Sequence, residues 1–294
     1  MNPKFYFLSV LLLSSFVVTA QENSSEPEEG WKRSGKGTLL VNQAAFSDWA
    51  SGGVNSVSLS LNVDYDLNYF ENGWAWDTKF LGSYGLSYIE GDTFLKKTND
   101  RIEINSLLGK QFSERWSYST LFNFKSQFAR GYRFGENEDG KETRTLRTHF
   151  FSPAYIQFGI GFYWKKSNDL WVNIAPFSQR ITMVSRRFTR DLEPGKEYFG
   201  VGQGDNHLFE LGASVNAFYK FKAMENITLE NRLGLYSDYL GDPQNIDFDY
   251  TVAAHMQINK YVSTNLELQL VYDYNAVGRL QVREVFGIGV NLDL

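Results

Sequence analysis

The feature that most constrains the fold of this chain is a strict alternation of apolar and polar side chains. From Val57 to Tyr69 every second residue is apolar, and the residues between them are Ser, Asn or Asp. A period of two is typical of a β-strand, because successive side chains point to opposite faces of the pleat. The pattern therefore predicts a sheet with one apolar face and one face in contact with water.

The same alternation recurs along the chain and continues to Leu294, its last residue. A terminal strand this regular must be paired on both edges, which a closed barrel achieves. We predict about twelve strands, with ten to fourteen as the range. The candidate strands span residues 37–44, 54–70, 73–89, 99–112, 115–131, 147–165, 168–182, 207–222, 226–239, 245–259, 261–274 and 281–294.

The connections between these strands alternate between short and long. FENG, AMEN and KY are tight, whereas GENEDGKETRT and the segment from 183 to 206 are open. Outer-membrane barrels have short periplasmic turns and longer external loops. The sequence thus predicts an all-β, transmembrane, antiparallel up-and-down barrel in the outer membrane of a Gram-negative cell. An even strand number places both termini in the periplasm. The predicted partner of the outer wall is outer-membrane lipid.

The N-terminal region predicts export of the chain. Residues 1–20 contain Lys4, an apolar core, and Val18 and Ala20 at the positions that a signal peptidase reads, so we interpret them as a signal peptide. Residues 21–35 lack periodicity and predict a flexible periplasmic tether. The barrel domain is then 36–294. The chain has no cysteine and a formal net charge of −5, which argues against cysteine chemistry and against nucleic acid as a partner.

The tryptophans test the same topology. Five of them, Trp74, Trp76, Trp116, Trp164 and Trp171, lie within a few residues of a predicted short turn. Aromatic girdles mark the membrane interfaces of barrels, so these side chains, above all the first four, are predicted to form one at the periplasmic side. The final apolar ladder also resembles the C-terminal signal that barrel-assembly machinery recognises, although that signal usually ends in an aromatic residue.

The chain contains several distinctive segments, NQAAFSDWASGGVNS, FSPAYIQFGIGFYW, IAPFSQRITMV, YFGVGQG, LYSDYLGDPQNIDFDY and LVYDYN. Together they resemble an uncharacterised family of outer-membrane proteins from the Bacteroidota, known only as a domain of unknown function. The resemblance covers most of the mature chain. It implies an outer-membrane barrel and carries over no catalytic residue.

Charged residues on the polar face of the strands are the candidate functional residues, because a charge facing lipid costs about 2 to 4 kcal/mol at the midplane. One interpretation is a lumen filled with structural ion pairs. The other is a pore with opposed charged walls. The acidic wall comprises Asp238, Asp247, Asp249 and Asp273, and the basic wall comprises Lys79, Arg101 and Lys125. In this pattern Arg283 is expected beside Asp273.

Three functions remain open. The first is a pore or binding barrel for small polar solutes, the second a docking component of an outer-membrane complex, and the third a hydrolase. A hydrolase needs a histidine near a nucleophile, and only His149, His207 and His255 are available. Ser152 is expected on the opposite face of the strand from His149, so we predict that the protein is not an enzyme. We also predict that it has no cofactor site and no metal site. The 45–53 loop plugs the lumen, contacts a partner or forms a tight outer loop; the sequence leaves these three alternatives open.

Overall fold

The computed structural model describes residues 29–47, 53–275 and 278–293, without the side chain of Asp293. Within these ranges, twelve antiparallel strands form a closed barrel in which each strand pairs with two neighbours. The predicted fold class is therefore confirmed. The predicted signal peptide, residues 21–28 of the tether, most of the 45–53 loop and Leu294 lie outside the described residues.

The elements, in chain order, are β1 (Gly30–Ala44), β2 (Ser56–Glu71), β3 (Trp74–Ile89), β4 (Lys96–Gln111), β5 (Trp116–Ser126), β6 (Gly131–Glu136), β7 (Glu142–Thr148), β8 (Ala154–Ser167), β9 (Leu170–Met183), α1 (Arg186–Thr189), β10 (Glu197–Tyr198), β11 (Val201–Gly202), β12 (His207–Met224), β13 (Ile227–Asp238), β14 (Ile246–Gln257), β15 (Val262–Tyr272) and β16 (Gln281–Asp293). The barrel contains all the strands except two small hairpins, β6–β7 and β10–β11. No helix in the described part of the chain is long and apolar enough to cross a membrane.

Each barrel strand presents its apolar side chains outward. In β2, Leu59 and Leu61 are each 50% exposed, while Ser60 between them is buried. The inward residues are buried because they face other strands across the barrel, whereas the outward residues face the surroundings. The period-two pattern of the sequence thus separates the two faces of the wall.

The last strand closes the barrel, as predicted. β16 pairs with β15 on one edge and with β1 on the other, with Leu40 opposite Gly289 and Lys36 opposite Asp293. β16 is therefore paired along both edges, with β15 from Gln281 to Val290 and with β1 from Ile288 to Asp293. We call the end of the barrel with the short turns the turn end, and we call the opposite end the loop end.

β1 begins at Gly30, seven residues before the predicted strand at 37. Its first half pairs with β2 as far as Gly30 opposite Phe70, and the ring of Trp31 lies 5.0 Å from that of Tyr69 and 5.8 Å from that of Trp76. The predicted tether at 21–35 therefore overlaps the barrel at residues 30–35. The sequence of this stretch lacks alternation, and its pairing follows from the long edge that β2 offers.

Two predicted loops contain regular structure. Residues 131–148 form the β6–β7 hairpin above the barrel, and the 183–206 segment contains α1 and the β10–β11 hairpin. β8 accordingly begins at Ala154 and not at the predicted residue 147. Short polar strands such as these have weak alternation, so periodicity does not reveal them.

Candidate functional site

The lumen of the barrel is crossed by ion pairs between strands that are not neighbours. Lys125 on β5 donates from Nζ to Oδ2 of Asp249 on β14 at 2.8 Å, and Gln269 Nε2 donates to the other oxygen of Asp249 at 2.9 Å. β5 and β14 are five strands apart in a ring of twelve, so this pair spans the lumen. It joins one member of the predicted basic wall directly to one member of the predicted acidic wall.

A second group of charges crosses the lumen between β4 and the strands β15 and β16. Arg101 donates to Glu103 at 2.5 Å, and its Nη1 lies 3.9 Å from Oε1 of Glu267. Arg283 pairs with the same Glu267, and its Nη2 donates to Oδ1 of Asn99 at 2.8 Å. Four charges of alternating sign are thus linked, and each charge is compensated by a neighbour.

A third group lies closer to the turn end. Lys79 contacts Asp64 at 2.5 Å and Asp66 at 2.9 Å on the adjacent strand β2. Across the lumen, Arg232 on β13 lies 3.8 Å from Asp64 and 2.8 Å from Glu230. Lys79 therefore has partners on its own side of the barrel, and Arg232 supplies the bridge to the opposite side.

Arg180 on β9 is the centre of the most buried charge cluster, which we call the Arg180 cluster. Its Nε and Nη2 donate to the two carboxylate oxygens of Glu210 at 2.7 and 2.6 Å, and Nη2 also donates to Asp247 at 2.6 Å. Asp273 lies 3.9 Å from Nη1, and the guanidinium lies 4.2 Å from the ring centroid of Tyr236. Glu210 is only 1% exposed, so the arginine is its main compensation for lost hydration.

The turn end contains an apolar cluster inside the lumen. Leu107, Leu121 and Tyr163 are buried together, and Trp171 packs against them. The ring of Trp171 also stacks on that of Phe218 at 5.8 Å. Trp171 therefore faces the lumen and not the membrane, and the prediction that it belongs to an interface girdle is wrong. Its parity matches buried Asn173, whereas a girdle residue would share the face of exposed Ile174.

The other four predicted girdle tryptophans lie on the outer wall near the turn end. Trp74, Trp76 and Trp116 are exposed, and Trp164 shares the outward face of Phe162. Trp31 falls in the stretch that the sequence predicts as a tether. It lies beside Trp76 and extends this outer row of tryptophans.

Near the loop end, the lumen contains a cavity of about 360 Å³. Its charged lining comprises Lys97, Asp100, Arg101, Glu103, Lys125 and Arg283. Every one of these side chains has an ionic partner among the described residues. The cavity therefore presents both signs of charge to a molecule that enters it.

The remaining members of the predicted acidic wall contact the backbone or Arg180. Asp238 at the end of β13 accepts a hydrogen bond from the backbone N–H of Leu240 at 3.0 Å. Asp247 and Asp273 both contact Arg180. The sequence pattern places Arg283 beside Asp273, but Arg283 pairs with Glu267. In the sheet register Arg283 lies opposite Gln269, farther from the loop end than Asp273 is.

The sequence pattern does not reveal Arg180 because β9 is irregular. Ala175 and Ser178 are both buried, so the inward parity changes between them, at Pro176 and Phe177. A proline inside a strand marks a bulge, and this is the signal that could have revealed the shift. At this bulge the backbones come close: a Cβ added at Gly161 would lie 1.9 Å from the carbonyl oxygen of Ile174.

The three histidines make separate contacts. His255 Nδ1 lies 2.8 Å from Asn265 Oδ1, His207 Nδ1 lies 3.0 Å from Asn206 Oδ1, and His149 Nδ1 lies 2.7 Å from the carbonyl oxygen of Phe150. Buried Ser152 accepts from the backbone N–H of Ser185 at 2.9 Å. Within the described ranges, no group of three or more His, Asp or Glu is arranged to hold a metal ion.

Comparison with known families gives a match over part of the chain. Residues 41–132 match the family "Protein of unknown function (DUF3078)". The predicted resemblance to a domain of unknown function is thereby confirmed over this stretch. The DUF3078 stretch runs from the end of β1 to the start of β6 and includes Lys79, Arg101 and Lys125 of the lumen. A comparison with curated proteins found no match.

Several solved structures are similar to the chain in overall fold. The translocator domain of the autotransporter NalP from Neisseria meningitidis is 11% identical, with a TM-score of 0.38, and the match covers 90% of this chain and 89% of that one. An outer membrane channel from Pseudomonas putida F1 is 11% identical, with a TM-score of 0.37 and coverages of 93% and 98%. The NanC porin is 10% identical, with a TM-score of 0.36 and coverages of 88% and 97%.

Proposed function

We propose that the chain is an integral outer-membrane barrel that binds small polar solutes in its lumen, with ion pairs across the lumen limiting their passage. The apolar outer wall supports the membrane location. Ile160, Phe177 and Ile288 are 56%, 70% and 56% exposed on three different strands. Exposed apolar surface on this scale is typical of contact with lipid or another protein. The long loops are then external and the short turns periplasmic, with both termini in the periplasm.

The observation that carries the solute proposal is the charged cavity near the loop end. Its volume of about 360 Å³ suits a small molecule, because ligand cavities in proteins begin at about 300 Å³. The paired cations and carboxylates of the lining offer donors and acceptors side by side. They therefore suit small solutes that carry both, rather than apolar compounds.

The experiment is uptake of small polar solutes into lipid vesicles that contain the purified protein. A matched pair of variants on β15 tests the cavity. Gln269→Trp fills the cavity that Gln269 lines, whereas Leu268→Trp adds the same ring to the opposite, outward face of the strand. We expect Gln269→Trp to lower uptake several-fold and Leu268→Trp to leave it unchanged. Equal uptake by both variants would contradict the proposal.

The second candidate is a docking component of an outer-membrane complex. It is favoured by the ion pairs that cross the lumen at several depths and by the β6–β7 hairpin, which offers an ordered external surface. Absence of solute uptake by the wild-type protein, in vesicles that contain the folded barrel, would favour this function. The separate contacts of the three histidines support a role without catalysis.

A further inference from the structure

At the loop end, the outer wall of the barrel carries a group of phenylalanines, which we call the rim cluster: Phe124, Phe128, Phe150 and Phe151. The rings of Phe124 and Phe151 are 5.3 Å apart, and those of Phe150 and Phe151 are 4.9 Å apart. Phe124 shares the outward face of β5 with Phe122. Phe128 lies against the outward face of β3, within about 4 Å of the position of a Cβ at Gly82. The rim cluster therefore continues the apolar outer wall.

A cavity of about 490 Å³, the rim cavity, lies beside this cluster. Phe128 and Phe150 form its apolar part, and Arg130, Arg187 and His149 form its polar part. Its lining includes no carboxylate among the described residues. It thus differs from the lumen cavity, in which cations and carboxylates are paired.

The two arginines of the rim cavity are uncompensated. Neither guanidinium makes an ion pair with a carboxylate in the described part of the chain, whereas Lys125 and Arg180 in the lumen do. Both Arg130 and Arg187 are also exposed. A pair of free guanidinium groups beside an apolar surface suits an anion that is attached to an apolar body.

The barrel wall holds the rim cavity in place. The carboxylate of Asp100 on β4 accepts from the backbone N–H groups of Phe128 and Ala129 at 2.7 and 3.0 Å, which fixes the segment that leads to Arg130. On the other side, the ring of His149 lies 5.4 Å from that of Phe188, which follows Arg187 in α1. The two arginines therefore come from separate segments: the barrel wall anchors the segment before Arg130, and α1, which contains Arg187, packs on His149.

We infer that the rim cavity binds the phosphorylated headgroup of a lipid in the outer leaflet. The phosphate lies between Arg130 and Arg187, and the acyl portion covers Phe128 and Phe150. A guanidinium group can donate two parallel hydrogen bonds to a phosphate. The phenylalanines lie on the outer wall, which faces lipid in the proposed location. This inference rests on the proposed outer-membrane location, with the loop end facing the outer leaflet.

The test measures binding of lipopolysaccharide to the folded barrel in a neutral detergent. The double variant Arg130→Gln/Arg187→Gln removes both charges of the cavity. The control Arg133→Gln/Arg190→Gln removes two exposed arginines that lie outside its lining. We expect the first variant to weaken binding by about tenfold or more, the loss that follows from removing one charged hydrogen bond. The control is expected to bind as the wild type does.

Two further probes identify the source of the anion. Lipopolysaccharide from which the phosphates have been removed is expected to bind about tenfold or more weakly to the wild type, and this comparison also serves if the double variant fails to fold. Inorganic phosphate at millimolar concentration is expected not to displace the lipid. Displacement by inorganic phosphate, or equal binding of the phosphate-free lipid, would overturn the lipid assignment. Equal loss in the control variant would show charge attraction without a site.

The membrane location is tested separately, by flotation of the protein with neutral phosphatidylcholine vesicles. A barrel that floats with these vesicles but does not distinguish phosphorylated lipid overturns the inference and leaves the proposed function standing. A protein that does not insert overturns the proposed function itself.

Discussion

Replacing Arg180 by Met is expected to destabilise the barrel more than any loss of an exposed charge. Methionine keeps much of the length of the side chain but removes the positive charge and all its donors. Glu210, Asp247 and Asp273 would then remain close together without the cation at their centre. The perturbation leaves buried charge uncompensated, which is costly because the carboxylates cannot recover their hydration.

The magnitude follows from the geometry of the Arg180 cluster. Arg180 donates three hydrogen bonds of 2.6 to 2.7 Å to two carboxylates, and its side chain is only 11% exposed. Removing one partner of a buried ion pair typically costs about 3 to 5 kcal/mol. The free energy of unfolding of Arg180→Met should therefore be about 3 to 5 kcal/mol below that of the wild type.

The assay is denaturant unfolding of the protein refolded into lipid vesicles, followed by tryptophan fluorescence. Arg190→Met is the matched control, because Arg190 is 71% exposed in its side chain and lies 3.8 Å from exposed Asp191. Its loss should be below about 1 kcal/mol. Adding Glu210→Gln to Arg180→Met should restore part of the stability, since one uncompensated charge is removed. Equal losses in Arg180→Met and Arg190→Met would refute the reasoning.

Three further predictions concern the wall and its orientation. Val63→Arg should lower the free energy of unfolding in vesicles by about 2 to 4 kcal/mol, because Val63 lies at the middle of the outward face of β2, where the proposed location puts the bilayer midplane. An unchanged value would show that this face does not contact lipid. Gly161→Ala should cost about 1 to 3 kcal/mol or more in the same assay, since the new methyl group meets the backbone of β9, and a neutral result would exclude this close approach. An epitope tag in the 132–146 loop should be reached by antibody on intact cells, whereas a tag in the AMEN turn should be silent; the reverse pattern would invert the topology.

The wall of the barrel is predictable from the sequence because each strand reports its two faces locally. The alternation from Val57 to Tyr69 requires only that one face contacts an apolar medium, and all twelve barrel strands overlap predicted strands. The predicted strand boundaries are wrong where this alternation is absent. Between Gly30 and Lys36, for example, pairing with β2 determines the conformation.

The partners of the lumen charges could not be predicted in the same way. Parity places Lys125 and Asp249 on the inward face, but the stagger of the closed sheet decides which inward residues meet across the lumen. Asp249 therefore pairs with Lys125, while Asp247, two residues away, pairs with Arg180. The bulge in β9 also exchanges the inward and outward positions of the strand, so simple alternation does not place Arg180 in the lumen.

Single-channel conductance in planar bilayers tests the central claim, that ion pairs across the lumen limit passage through an outer-membrane barrel. The informative variant is Lys125→Met/Asp249→Leu, which removes the loop-end pair without leaving a charge unpaired between the two positions. We predict a small conductance for the wild-type protein and a conductance several-fold larger for the variant. A wild-type conductance that is already large, or one that the double substitution leaves unchanged, would contradict the account.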